Sequence, residues 1–185
     1  MNSELESLRG HLLIASATLL DPNFHRTVVL VTEHTEEGAM GLVLNRPSTV
    51  AVAEAVPDLE EFVEEDAAVF RGGPVQPEAA IALAELEDPE AAEVITFGNI
   101  GFIRADADPA ELTGRVRRAR VFAGYAGWGS GQLEAELEEE AWILELAAPG
   151  DVFSATPGDL WSEVLRRKGG PFALLAQMPL DPSLN

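Results

Sequence analysis

The amino-acid sequence predicts an α+β domain with a largely antiparallel sheet, and three observations carry that expectation. Short apolar runs follow one another with short loops between them, which favours antiparallel pairing. Helical stretches are short and scattered, without the regular alternation of a βαβ chain. The length of 185 residues, 46% of them hydrophobic and 24% charged, suits one soluble domain over 1–185. Such a chain buries roughly 70% of the surface its unfolded form exposes, so it needs no covalent staples.

Leu12 to Ser16 is a short apolar run that reads as a buried strand. Asp21-Pro22-Asn23 is turn chemistry, because proline presets φ while Asp and Asn bond their own backbone. Thr27 to Thr32 is β-branched and nearly all apolar, a strand buried on both faces. Glu36-Glu37-Gly38 turns the chain, and Met40 to Leu44 returns to make a hairpin. Asn45-Arg46-Pro47 is expected to stop that strand. Residues 49–66 read as two short helices split at Pro57-Asp58, with Val52, Val56, Leu59 and Phe62 on the apolar side. Ala67 to Phe70 is the next strand and ends at Arg71-Gly72-Gly73-Pro74. Ala80 to Leu86, Glu93 to Phe97 and Ile100 to Arg104 are further strands, linked by an acidic loop at Asp88-Pro89 and a turn at Gly98-Asn99. Pro109 to Arg115 suits a short helix capped by Asp108.

Arg120 to Tyr125 reads as a strand, Gly127 to Gly131 as a glycine-rich turn, Gln132 to Glu140 as a helix and Trp142 to Ala147 as a strand. Gly158-Asp159 opens an amphipathic helix that runs to Lys168, with Trp161 and Trp142 as core residues. Gly169-Gly170 caps that helix, whose last-turn bases favour the helix dipole. Residues 172–178 form a final helix anchored by Phe172, Leu174 and Leu175. Residues 1–8 and 179–185 read as loose termini.

Composition removes several classes of function. Acids outnumber bases 32 to 12, for a formal charge of -20, and there is no cysteine. A disulfide scaffold, a cysteine zinc site, an iron–sulfur site and thiol catalysis are thereby excluded. Direct nucleic-acid binding is disfavoured, because it needs a cationic surface to displace counterions from phosphates. Glu4 and Glu6 precede the run Leu12 to Ala15, which breaks at Ser16, so no secretory signal is read. No stretch approaches the roughly 18–20 apolar residues of a membrane helix. The expectation is a cytoplasmic protein without a membrane partner.

Three blocks carry a resemblance. They are GHLLIASATLLDPNFHRTVVLVTEHTEEGAMGLVLNRP (Gly10 to Pro47), FRGGPVQPE (Phe70 to Glu78) and RVFAGYAGWGSGQLEAELEEEAW (Arg120 to Trp142), followed by Leu160-Trp161. In this order they resemble the YqgE/AlgH family of bacterial proteins. Ala17 departs from the family pattern, which usually has proline there, at the expense of some local rigidity. The resemblance implies a bent, largely antiparallel sheet forming a pseudo-barrel with helices packed outside. Family members are labelled uncharacterised proteins or transcriptional regulators, a label that comes from a regulatory phenotype in alginate production. It brings no established catalytic residues.

Four constellations could carry chemistry. Asp21, His25, Glu33 and His34 surround one turn and the strand leaving it. Glu33 and His34 are adjacent on a strand and point to opposite faces, so one of them at most can join Asp21. A metal or acid–base site there competes with a plainer reading, in which Asp21 and His34 satisfy backbone groups of the turn. Asn45-Arg46 and Arg71-Gly72-Gly73 each put an arginine beside a special turn. Two such arginines meeting at one sheet end would bind a carboxylate or phosphate, unless each pairs with a nearby acid. Gly72-Gly73 asks for positive φ or close backbone approach.

The segment Gly124-Tyr125-Ala126-Gly127-Trp128-Gly129-Ser130-Gly131-Gln132 matches neither a dinucleotide fingerprint, a P-loop nor a nucleophile elbow. It reads as a tight corner packed by Tyr125 and Trp128 with Ser130 as helix cap, or as a ligand or partner site centred on Trp128. The acidic run Glu134, Glu136, Glu138, Glu139, Glu140 reads as a solvated helix face. Arg115, Arg117, Arg118 and Arg120 form the one dense basic patch, a weak footprint for nucleic acid in so acidic a chain.

The function these residues favour is a non-enzymatic regulatory or binding protein. It would meet a protein or small-molecule partner on a surface of Asp21, His34, Asn45, Arg46, Arg71, Gly72, Gly73, Tyr125, Trp128, Ser130 and Gln132. No cofactor or metal is implied. The alternative is a hydrolase or metal-dependent enzyme using Asp21, His34 and Ser130, with direct DNA binding third. Nothing in the residues sets the oligomeric state.

Overall fold

The computed structural model describes residues 6–179. Among these, ten strands form one sheet: β1 (His11–Ala15), β2 (Val28–Thr35), β3 (Gly38–Val43), β4 (Pro47–Ala51), β5 (Ala68–Arg71), β6 (Val75–Leu86), β7 (Val94–Phe97), β8 (Ile100–Ile103), β9 (Val116–Gly129) and β10 (Trp142–Leu146). The main path runs β10-β1-β2-β3-β9-β6-β8-β7 and does not close on itself. β5 runs parallel to β9 and carries β4, while the other pairings are antiparallel. The α-helices of the described residues are α1 (Val52–Ala55), α2 (Pro109–Leu112), α3 (Gln132–Glu138), α4 (Pro149–Val152), α5 (Leu160–Lys168) and α6 (Pro171–Leu175).

β9 joins the two halves of the sheet. Its last residues pair with β3 (Gly41↔Ala126) and its earlier ones with β6 (Ala80↔Ala123). Strand alternation explains how it can serve both. Ala119 and Val121 face one apolar cluster with Val69, Ala82, Ala84 and Ile103, under the helical segment from α1 to Phe62. Ala126 and Trp128 face another, with Leu13, Val29, Val31 and Leu133 of α3. The parity slips by one residue between them, at Gly124, whose φ is +72. The opposite faces of both halves look onto one shared cluster. It includes Ile14 and Leu30 from one half and Leu83 and Phe122 from the other, and Leu160, Trp161, Val164 and Leu165 of α5 pack on it. The expected pseudo-barrel is therefore an open one, bent at β9.

β5 wedges in where β3 and β9 part. Gly72 N–H donates to Ala123 O at 2.9 Å and Gly72 O accepts from Val43 N–H at 2.9 Å. A Cβ on Gly72 would lie 2.2 Å from Gly124 O, and one on Gly73 would lie 2.2 Å from Tyr125 C. Two backbones cross there with no room for a side chain, which is the reason for the paired glycines.

Several boundaries differ from the sequence expectation. Residues 47–51 are an edge strand rather than the end of one element and the start of a helix. Pro47 opens β4 where a missing N–H matters least, and Ser48-Thr49-Val50 suit extended backbone. The second helix over Pro57–Phe62 is a 3₁₀ helix. β6 begins at Val75 and β9 spans 14 residues, so Gly127 and Gly129 are strand, not turn. α3 has Gly131 as its N-cap, at φ +74, while Ser130 Oγ donates to Glu36 O at 2.7 Å instead of capping. α6 ends at Leu175, and Leu174 is 70% exposed rather than an anchor. The termini expected to be loose fall largely outside the described residues, although Leu8 N–H donates to His34 Nδ1 at 2.9 Å. No helix among the described residues is long and apolar enough to cross a membrane.

Candidate functional site

The residues expected to share one surface lie at the two ends of the β2–β3 hairpin. Val28 and His34 stand six residues apart on β2, about 20 Å along a strand. Asp21, Asn45, Arg46 and Arg71 belong to the Val28 end. Asp21 Oδ1 accepts from Asn23 N–H at 2.8 Å, a turn closing on itself. Asn45 Oδ1 accepts from Val28 N–H at 3.0 Å and its Nδ2 donates to Arg26 O at 2.9 Å, so its amide splices the turn to the sheet. Arg46 donates to Asn23 O at 2.7 Å and His25 O at 3.0 Å. Burial and the neighbouring Arg71 hold the Arg46 guanidinium below its ordinary pKa, against the pull of Asp21. Arg71 N–H donates to Arg46 O at 2.7 Å, which seats the two arginines side by side.

His34, Ser130 and Gln132 belong to the other end. A β-bulge at Thr32 shifts the register between Val31 and Glu33. Beyond it Glu33 is exposed, while His34 is buried and aimed at α3. His34 Nδ1 accepts the Leu8 N–H, so the proton sits on Nε2, which donates to Glu134 Oε1 at 2.6 Å. Burial works to raise the Glu134 carboxyl. The hydrogen bond from His34 and that from its own backbone amide outweigh burial and hold it below the usual carboxylate value. Gln132 Oε1 accepts from Gly129 N–H at 3.0 Å. Asp21 and His34 do not meet, and both His34 ring nitrogens are occupied, so neither a shared metal nor a His34–Ser130 hydrolytic pair forms. Among the described residues no three His, Asp or Glu side chains gather as metal ligands.

Gly72, Gly73 and Tyr125 lie at the backbone crossing between these ends. Of the two readings of Trp128, packing residue of a tight corner or centre of a ligand site, the geometry fits the first: it is only 6% exposed and packs against Phe24 and Trp142. The acidic run is not a uniform solvated face either. Glu134 holds His34, and Glu136 Oε1 accepts from Trp142 Nε1 at 3.3 Å, while Glu138 to Glu140 face solvent. The basic run is spent internally. Arg115 pairs with Asp88, Arg117 with Glu87, and Arg118 with Glu85. Arg120 donates to Val152 O and Ser154 O and lies 4.5 Å over the Phe70 ring. Burial, with Arg118 nearby, lowers its pKa against the pull of Glu64.

A hollow beside the bulge takes in His34 and Glu33, two of the residues singled out in the sequence, with lining that the sequence did not point to. It is open to solvent and offers about 770 Å³ between the bulged end of β2 and the strands β6 to β8. Its lining mixes apolar Met40, Ile81 and Phe102 with Thr32, His34 and the ionisable Arg9, Glu33, Glu93, Arg104 and Asp106. Arg104 forms a two-pronged bond to Asp106, at 3.0 and 3.1 Å. The lining comes from the segment before β1, the bulged end of β2, and β3, β6, β7 and β8. No local pattern announces such a site, and the polar Thr32-Glu33-His34 at the end of an apolar strand is its sequence trace. Its volume falls within the range of small-molecule sites.

Comparison with known proteins agrees with this architecture. A family model described as AlgH-like matches residues 12–173. A UPF0301 protein of Streptomyces coelicolor is 46% identical, covering 99% of this chain and 98% of its own. One from Mycobacterium tuberculosis is 42% identical, over 95% of this chain and 90% of its own. The crystal structure of a Corynebacterium diphtheriae protein superposes with a TM-score of 0.87 at 28% identity, over 96% of this chain and 95% of that one. The solution structure of AlgH from Pseudomonas aeruginosa does so with a TM-score of 0.70 at 31% identity, over 98% and 99%. With the open, bent sheet and the family model spanning nearly all of it, this chain belongs to the AlgH-like UPF0301 family, whose function is unknown.

Proposed function

We propose that this chain is a non-enzymatic binding protein of the cytoplasm that takes a small amphipathic molecule in the 770 Å³ cavity and acts as a regulator through it. The single supporting observation is that cavity, where apolar side chains meet ionised groups of both signs. Such a lining suits a ligand with an apolar body and a charged or zwitterionic end. The occupied nitrogens of His34 argue against the hydrolase alternative. The internally paired arginines, in a chain of charge -20, argue against direct DNA recognition.

Native mass spectra of the untagged protein, purified gently from its own cells without chelator, test this reading. The expected result is a reproducible extra organic mass that Met40→Trp, which fills the cavity, loses while staying folded. A bare mass in the wild type, or an extra mass that Met40→Trp retains, overturns it.

A further inference from the structure

A second hollow lies beyond Ala80, the residue that borders both it and the cavity. This groove, of about 430 Å³, runs between β4, α1 and the neighbouring stretches of β5, β6 and β9. Val50, Val56, Val69 and Val121 give it apolar walls, and Ala55 and Ala80 leave it roomy. Arg71 is its one cation and Glu78 its one acid, and no salt bridge joins them among the described residues. Among those residues the Arg71 guanidinium has no hydrogen-bond partner at all, in a chain with 32 acids and 12 bases. Arg46, beside it, is already engaged by the carbonyls of Asn23 and His25. The two arginines thus make a positive field with one free fork. β6 leaves β9 between Val75 and Ala80, with Gln76 at φ +46, and this detour opens the groove beside that fork.

We propose that this groove binds a carboxylate carried on a short apolar group, with the Arg71 fork holding the carboxylate and the valine walls holding the tail. A guanidinium matches a carboxylate in two parallel hydrogen bonds, and Arg71, an exposed residue, offers that fork at the mouth of the apolar groove. A free aliphatic acid and the C-terminal end of a peptide present the same chemistry. Charge also selects against bulkier polyanions, since the rest of the molecule repels them.

The probes are hexanoate, hexanamide and the tripeptide Ala-Val-Leu with a free or an amidated C-terminus, titrated against the ¹⁵N-labelled full chain. Hexanoate is expected to bind with a Kd on the order of 1 mM. Shifts should centre on Val69, Arg71 and Ala123, and hexanamide should bind about tenfold weaker. The free-acid tripeptide binding at least as well as hexanoate assigns the groove to peptide ends, and its failure assigns it to free acids. Arg71→Gln should remove the preference for acid over amide. Ala55→Trp, at an exposed helix position, should block both acids by filling the groove with Arg71 intact. Equal binding of hexanoate and hexanamide, no binding of any probe, or shifts confined to the 770 Å³ cavity overturns the proposal. Met40→Trp should leave hexanoate binding unchanged, so the fate of the cavity ligand is read separately.

Discussion

His34 shows how one side chain ties three segments together. It holds the backbone before β1 through Nδ1 and α3 through Nε2, from a strand position that only the Thr32 bulge makes available. Glu134→Gln keeps an acceptor but removes the charge. The folded carboxyl lies below its ordinary pKa, so its stabilisation is full above that ordinary value and is lost as pH falls through the folded one. Unfolding free energies from urea titrations of wild type and Glu134→Gln should differ by about 1 kcal/mol at neutral pH and converge in acid. A difference that persists at low pH removes this account. Gly72→Ala is a sharper change, because its Cβ would strike a carbonyl oxygen 2.2 Å away that belongs to backbone. A loss of about 3 kcal/mol or more is expected, seen as a collapse of the thermal transition. Asn45→Ala should cost about 2–3 kcal/mol, since it strands the Val28 N–H and Arg26 O that its amide satisfies.

At the scale of elements, the sequence pattern locates most strands and misjudges their ends. β1 and β2 announce themselves because they are apolar on successive positions and covered on both faces, and β3 and β10 by shorter apolar runs beside turn residues. β4 is hidden because an edge strand over Ser48-Thr49-Val50 has no apolar alternation to read, and the helix pattern of Val52 to Phe62 runs straight into it. The two ends of β9 are hidden by arginines and glycines whose partners lie far along the chain. The residues expected on one surface separate for a related reason. Asp21 and His34 are near in sequence, but a strand of eight residues parts them. The cavity leaves almost no local trace, being assembled from six segments. The edge strand β10 yields a prediction of its own. Lys168 Nζ donates to Leu144 O at 2.7 Å and Arg167 donates to Leu146 O at 3.2 Å, so cations from α5 cap an otherwise open edge beside the exposed Leu146. Lys168→Ala should increase concentration-dependent association, measured by light scattering, with little change in the monomer's circular dichroism. An unchanged scattering profile would show that the remaining arginine suffices.

For the whole molecule, charge and connectivity set the behaviour. A net charge of -20 on 185 residues repels itself, and salt screens that repulsion over about 10 Å at 0.1 M. The melting temperature should therefore rise between low and physiological ionic strength, by calorimetry at fixed pH. A fall would mean that the paired arginines outweigh the surplus acids. The order in which the strands arrive has its own result. On a ribosome, β1 to β3, the pair β4 and β5, and β6 to β8 emerge first, each set able to pair within itself, but no strand joins them. Until β9 has cleared the tunnel, the inner edge of β3 and the long edge of β6 both stand open, and each is a template for the wrong neighbour. The single strand that unites the halves is also the one whose delay leaves both edges unpaired, for as long as it takes the chain to deliver residues 116–129.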